Sequence, residues 1–416
     1  LGYLLTPIAF GVHLWRGLGD RRHWAHLGER YGFGPRVPPG GFWLHAVSVG
    51  EVKAAQPLID ALRHRYAALP ITLTTSTVTG RAEALRLYGA GVTVRYLPYD
   101  LPGPVNRFLA EIRPVVALVL ETELWPILYR GCARVGLPIV LISARLSERS
   151  VRRYRGLGGL IRTTLQSISA IGAQTPIDAE RFMALGAHPE RTTVMGNLKF
   201  DVTLPDRLHE QGAQLRSVLG DGRFVWVAGS THEGEEALLL DAHRQLRQRY
   251  PDALLVLAPR HPQRFGHVKA LLDQQATRFV TRSTQGRVMA DTEVLLLDTL
   301  GELNLFYAAA NVAFVAGSLK PIGGHNVLEP AMLGKPVLVG PEVATVRAAV
   351  DLLRAAGALE IITDGASLVE RLCFHAESPA SSAEAAAQGL EVLSRNRGCT
   401  ARAMAMIDTV MSGRIT

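Results

Sequence analysis

The sequence is poor in cysteine: Cys132, Cys373 and Cys399 are the only three in 416 residues, and they form no Cys-x-x-Cys pair. Such spacing supports neither a disulfide framework nor a zinc site, and a reducing compartment is the simplest setting. No Asp-x-Asp occurs. The usual carboxylate signature of a metal-dependent sugar transferase is therefore missing, and no metal is expected. No Gly-x-Gly-x-x-Gly lies in a strand–helix turn, and Gly334-Lys335 runs into Pro336 rather than Ser or Thr. Dehydrogenase and P-loop readings fall away. No nucleic-acid-binding motif is visible either, so nucleic acid is not an expected partner.

What is present is a folded, two-domain composition. Hydrophobic residues make up 48% and charged residues 20% of the chain, and 416 residues suit two domains of about 200 each. The net charge of +8 is unevenly distributed. Residues 1–204 carry 24 Lys/Arg against 14 Asp/Glu, and residues 205–416 carry 21 against 23. The first half should face something anionic, and an acidic membrane surface fits better than nucleic acid. Residues 1–18 contain no acid, and Trp15, Arg16, Arg21 and Arg22 cluster near their end. Interrupted by Pro7 and His13, the stretch is short for a span, which needs about 20 apolar residues. No small-residue cleavage site follows, so a membrane anchor or its remnant is expected rather than a signal peptide. Arg145, Arg149, Arg152, Arg153, Arg155 and Arg162 form the densest basic run. It is either a solvated face or a contact to anionic lipid.

Short, non-alternating runs rich in Val, Ile and Leu read as strands buried on both faces of parallel sheets. In the first half these are Phe42–Val47, Ile71–Thr75, Val92–Leu97, Val115–Leu120, Ile139–Ile142 and Ala170–Ala173, with helices at Val52–Leu69 and Ala82–Tyr88. The second half offers Phe224–Ala228, Ala253–Ala258, Val294–Leu297, Val312–Ala316 and Pro336–Val339. A linker is placed near residues 200–206. The expected layout is an anchor or interfacial helix over 1–20, a Rossmann-like domain over 21–203 and a second over 204–416. Ala380 to Met411 reads as helical, either closing the second domain or crossing back to the first. Two doubly wound α/β domains would face a central cleft, with ligands at the carboxyl ends of the strands.

The candidate site residues fall at those ends. Gly323-Gly-His-Asn326 follows a strand and leads into a helix, so Gly323 and Gly324 suit a phosphate and His325 adds a hydrogen bond. Asn326 and Glu329 also fit a plain capping box, while Glu329 would alternatively bind ribose. Pro259-Arg260-His261 puts a cation at the same edge, and Gly301-Glu302-Leu303 adds backbone donors. Gly229, Ser230 and Thr231 would contact phosphate or sugar, unless Thr231 simply caps the next helix. In the first half Glu51 suits a general base and equally an acid in a first helical turn. Ala46-x-Ser48-x-Gly50 departs from a nucleophile elbow at its first position. Glu121 and Glu123 form a second acidic site. Lys199 lies at the presumed hinge, where it would neutralise a departing nucleotide or a sugar acid.

The segments SVGE (48–51), ETELWP (121–126), GNLKFD (196–201), GSTHEGEE (229–236), APRHP (258–262) and GGHNVLEP (323–330) together resemble the Kdo transferases, the 3-deoxy-D-manno-octulosonic acid transferases of lipopolysaccharide biosynthesis. The resemblance implies the GT-B fold and a metal-free, inverting transfer from CMP-β-Kdo to lipid IVA at the cytoplasmic face of the inner membrane. It makes Glu51 the catalytic base and has Glu121 and Lys199 stabilise the transition state. Pro259, Arg260, Gly301, Glu302, Leu303 and Asn326, Val327, Leu328 and Glu329 would hold CMP, the donor being the only small-molecule partner. The rival readings are a GT-B-fold sugar-nucleotide epimerase and a non-catalytic sugar-nucleotide-binding membrane protein. The apolar N-terminus argues against the first, and a role for Glu51 against the second.

Overall fold

A computed structural model describes residues 26–205, 207–284 and 286–412. The expected anchor over 1–20, with Arg16, and the neighbouring Arg21 and Arg22 lie outside the described residues. Among the described residues no helix is long and apolar enough to cross a membrane. The chain divides into two compact units, one of residues 1–203 with 396–416, the other of residues 204–395.

The first unit is built on seven parallel strands: β1 (Phe42–His45), β2 (Ile71–Thr75), β3 (Thr93–Tyr96), β4 (Val116–Leu120), β5 (Ile139–Ala144), β6 (Ala170–Ala173) and β7 (Thr192–Val194). Their order is β3-β2-β1-β4-β5-β6-β7, so the direction of winding reverses between β1 and β4. The second unit holds β8 (Val225–Thr231), β9 (Leu254–Pro259), β10 (Phe279–Thr281), β11 (Val294–Leu296), β12 (Val312–Val315), β13 (Val337–Val339) and β14 (Leu359–Ile361). Here the order is β10-β11-β9-β8-β12-β13-β14, and the reversal falls between β8 and β12. All pairs within both sheets are parallel. Chain connections diverge at such a reversal and open a crevice at the carboxyl ends of its two strands.

The central strands are apolar throughout because alternate residues feed two cores. In β4, Ala117 and Val119 pack into one layer, and Val116, Leu118 and Leu120 into the opposite one. In β9, Leu255 and Leu257 face one layer, Leu254 and Val256 the other. All eleven strands expected from the sequence form. Three others, β7, β10 and β14, have only three residues each and are partly exposed. They sit at sheet edges, where no continuous apolar run is needed.

Two helical expectations change. The segment 52–69 is two helices, Val49–Ala54 and Gln56–Arg65, because Pro57 cannot donate a helical hydrogen bond. The terminal segment is also two helices, Pro379–Arg395 and Cys399–Ser412, divided before Gly398, whose φ is +85°. The second of these leaves the 204–416 domain expected from the sequence and packs with the first unit. Cys399, Ala403 and Ile407 are buried there beside Met195 and Leu198. Asp201 accepts hydrogen bonds from the N–H groups of Gly398 and Thr400 and so caps this helix. Replacing Asp201 with Ala removes a charge-assisted cap and should destabilise the first unit by about 1–2 kcal/mol, read as a lower denaturation midpoint.

Candidate functional site

At the first reversal, β1 runs into a turn and the helix Val49–Ala54, with Glu51 in its first turn. Glu51 accepts the Val47 N–H at 2.8 Å and the Ser48 hydroxyl at 3.2 Å. The helix-start role is therefore realised. It does not exhaust the residue, because burial, reinforced by the nearby charge of Glu121, pushes the Glu51 carboxyl up to about 8. The Val47 N–H, and more weakly Lys199, oppose that rise, while Glu123 adds to it.

Glu121 follows β4 directly. Its φ of +55° is unusual for a residue with a side chain. Glu121 Oε1 accepts from Lys199 Nζ at 2.7 Å. Glu123 is likewise raised, to about 7, chiefly by burial, and its main-chain oxygen accepts the Tyr129 hydroxyl. Of the two acids, Glu121 is the one paired with the lysine. The structure thus brings Glu51, Glu121, Glu123 and Lys199 into one electrostatic group.

Lys199 is held by its own neighbours. Gly196 turns with φ +89°, and a Cβ there would meet Cys399 Sγ at 2.7 Å. Ser143, at the end of β5, accepts the Leu198 N–H at 2.9 Å and donates to Gly196 O. The Asn197 side chain donates to Gln174 and accepts the Lys199 N–H. Leu198 and Phe200 anchor in the interior. The run 196–201 is a braced turn whose single outward product is the lysine ammonium.

The second reversal is organised by Glu235, which is fully buried. Its carboxylate accepts four backbone N–H groups: His232, Gly317, Ser318 and Leu319, at 2.9–3.1 Å. It joins the turn after β8 to the turn after β12. Glu236, also buried, takes the Thr231 hydroxyl at 2.9 Å and the Arg264 guanidinium at 2.5 Å. Thr231 therefore neither caps the next helix nor faces a ligand. Ser318 is also internal, donating to Val315 O and accepting from Gly340 N.

Three histidines gather at this edge. His325 Nε2 lies 2.7 Å from His232 Nε2, and His261 stands edge-on to His232 with 5.4 Å between ring centres. Burial pushes His325 down to about 4, and the Arg260 charge adds to the effect. Arg260 is exposed, and its N–H is fixed to Thr231 O at 3.0 Å. Pro259 ends β9 in register with Thr231.

The glycine run differs from its expected form. Gly323 and Gly324 have φ of +107° and +81°, and a Cβ on either would clash with Thr345 or Val346. The Thr345 hydroxyl donates to both of their carbonyls, and the Gly324 N–H donates to Gly317 O. The double glycine is thus explained by packing. The helix that follows, Leu328–Met332, is a single turn, and Asn326 accepts the Leu328 N–H rather than that of Glu329. The N-cap of that helix is Val327, so Asn326 and Glu329 do not occupy the two positions of a capping box. Val327 and Leu328 are buried, so only their main chains can meet a ligand. Gly301 is exposed with φ +86°. Glu302 is held below its ordinary value by Arg282, which it binds at 2.7 Å. Leu303 opens the helix Leu303–Ala309 and leans over Gly229.

The sequence model of the family described as 3-Deoxy-D-manno-octulosonic-acid transferase (kdotransferase) matches residues 25–202. The chain is 38% identical to the 3-deoxy-D-manno-octulosonic acid transferase of Haemophilus influenzae over 395 residues, 93% of this chain and 91% of that protein. It is 42% identical to the Bordetella pertussis 3-deoxy-D-manno-octulosonic acid transferase, covering 76% of this chain and 75% of that one. The chain belongs to the Kdo transferases. These are glycosyltransferases of lipopolysaccharide biosynthesis. A solved UDP-GlcNAc 2-epimerase from Neisseria meningitidis matches 89% of this Kdo transferase chain and 100% of its own, with a TM-score of 0.60 at 16% identity. At that identity the likeness speaks for the GT-B kind of fold, two parallel-sheet α/β units, and not for epimerase chemistry.

Three residues of this Kdo transferase escaped the sequence reading. Glu235 lay inside a quoted segment, but its burial was not foreseen. His232 carried no role. Tyr307 comes so close to Gly229 that a Cβ there would sit 1.9 Å from its hydroxyl oxygen, a contact with no local signature. Replacing Glu235 with Gln turns an acceptor oxygen into a donor among N–H groups. It should lower stability by about 3 kcal/mol or more and abolish nucleotide binding, measured by thermal denaturation and calorimetry.

Proposed function

We infer that the chain transfers Kdo from CMP-Kdo to lipid IVA with inversion, Glu51 acting as general base. The observation that carries this reading is the raised Glu51 carboxyl beside the Lys199–Glu121 pair at the first reversal. A base poised near working pH takes the acceptor hydroxyl proton as the oxygen attacks the anomeric carbon. The bond from that carbon to the phosphate breaks, and CMP leaves with the electron pair. Lys199, oriented by Glu121, offsets negative charge as it moves in that step. The second unit holds CMP through Pro259 and Arg260, the Gly301-Glu302-Leu303 turn, and His325 to Glu329. Lys199 and Arg260 supply the positive charge, so no metal is required.

Lipid IVA is a phosphorylated lipid, which matches the basic first half of the chain. The helix Glu148–Arg155 presents Arg152, Arg153 and Arg155 to solvent, and Leu157 and Leu160 are about half exposed just beyond it. Basic and apolar side chains side by side suit an anionic membrane surface. That supports work at the cytoplasmic face of the inner membrane.

The test is turnover of CMP-Kdo, generated in situ, with lipid IVA, read as Kdo-lipid by mass spectrometry. A folded sample that forms no product sinks the reading. Glu51→Gln should lower kcat by about 10²–10⁴-fold with CMP affinity retained, and loss of CMP binding instead removes Glu51 from the base role. Only the ionised carboxylate accepts a proton. Wild-type kcat/KM should therefore rise with pH up to about 8 and then level. The same shift has a stability counterpart. The folded state keeps the Glu51 proton from its ordinary 4.5 up to about 8, so stability falls as pH rises through that window. Glu51→Gln should reduce this fall, leaving the smaller contribution of Glu123, as followed by thermal midpoints at pH 5 and pH 9.

A further inference from the structure

His232 and His325 meet Nε2 to Nε2 at 2.7 Å, with rings nearly parallel at 7° and centres 5.0 Å apart. At this separation one Nε2 carries a hydrogen and the other does not. In the neutral pair, the ring that donates through Nε2 has a bare Nδ1, and its partner is protonated at Nδ1. One further proton enters at the bare Nδ1 and leaves the shared bond intact. A second would put hydrogens on both Nε2 atoms and break it. The pair therefore has room for a single positive charge.

Its surroundings decide when that charge is present. Glu235, Glu236, Arg260 and Arg264 act on His232, and Arg260 and His261 act on His325. Glu235 is already saturated by four N–H groups, and Glu236 is paired with Arg264 and Thr231. Burial is the largest influence and lowers both rings; Arg260 acts in the same direction on each, and Glu235 opposes it at His232. Without a bound anion the pair is neutral at pH 7. A phosphate anion at this strand edge would act in the opposite sense, favouring the charged pair.

We propose that His232 and His325 form a proton-coupled anion subsite, which binds a nucleotide phosphate together with one proton at the carboxyl ends of β8 and β12. This rests on the donor-site reading above and adds His232 to it. The donor's phosphodiester carries one negative charge and the released monoester up to two. A proton held by the pair offsets the extra charge as the nucleotide departs.

The experiment is calorimetric titration of the full chain with CMP at pH 7.5, in buffers of different ionisation enthalpy. The buffer dependence counts protons. Wild type should take up protons on binding, and its Kd for CMP should rise with pH, by at most tenfold per unit for one proton. His232→Asn should lose that uptake and the associated pH dependence while still binding CMP. His325→Gln serves as the second variant should the first not fold. The second ionisation of the CMP phosphate, near pH 6, is common to all three proteins and cancels in the comparison. CMP binding without proton uptake in wild type, or equal uptake in both variants, overturns the subsite but leaves the donor site standing. Failure of CMP to bind folded wild type overturns both.

Discussion

A buried carboxylate with four N–H donors holds together the edge of the second unit where β8 and β12 end. Glu235 has no side-chain cation as its partner. Its charge is met by oriented backbone dipoles from two separate turns, an arrangement that stabilises an anion strongly in a low-dielectric interior. The N–H groups it binds would otherwise be orphaned where β8 and β12 end. The turns after β8 and β12 are tied to each other through this one acid. His232 is fixed through its own main chain, and Gly317 through Leu319 start the run that ends in His325 and Asn326.

The first unit solves a different problem with the same topology. Its reversal carries Glu51, Glu121, Glu123 and Lys199, all of which remain partly solvent-accessible. Three carboxylates near one ammonium cannot all ionise cheaply. The pairing of Glu121 with Lys199 leaves Glu51 as the group whose proton is held to higher pH. The two sheets share an architecture and diverge in chemistry: one displays acids, the other imidazoles and a guanidinium.

The central strands were legible in the sequence because burial on both faces demands unbroken apolar runs. The edge strands β7, β10 and β14 were not, because three residues, only partly buried as a set, leave no periodicity to detect. The sequence placed Glu51 and Glu121 at strand ends and Lys199 at the presumed hinge, and the structure brings the three together. The local signal was incomplete where a long-range contact supplies a further reason. Gly323 and Gly324 were read for their closeness to a phosphate, and Thr345 and Val346 independently require them to be glycine. Ser318 likewise braces Gly340 across 22 residues of chain. No window of local sequence contains Thr345 or Gly340 alongside the residues they constrain.

The return of the last helix to the first unit makes that unit discontinuous along the chain. Cys399, Ala403 and Ile407 are part of the layer beneath β1, β4 and β5. During synthesis, residues 26–203 emerge long before the helix that completes their core. The second unit has an uninterrupted sequence and can close first, although it is made later. Until the helix Cys399–Ser412 has been made, the first unit exposes an unfinished apolar face, and its closure waits on a segment that follows the whole of the second unit.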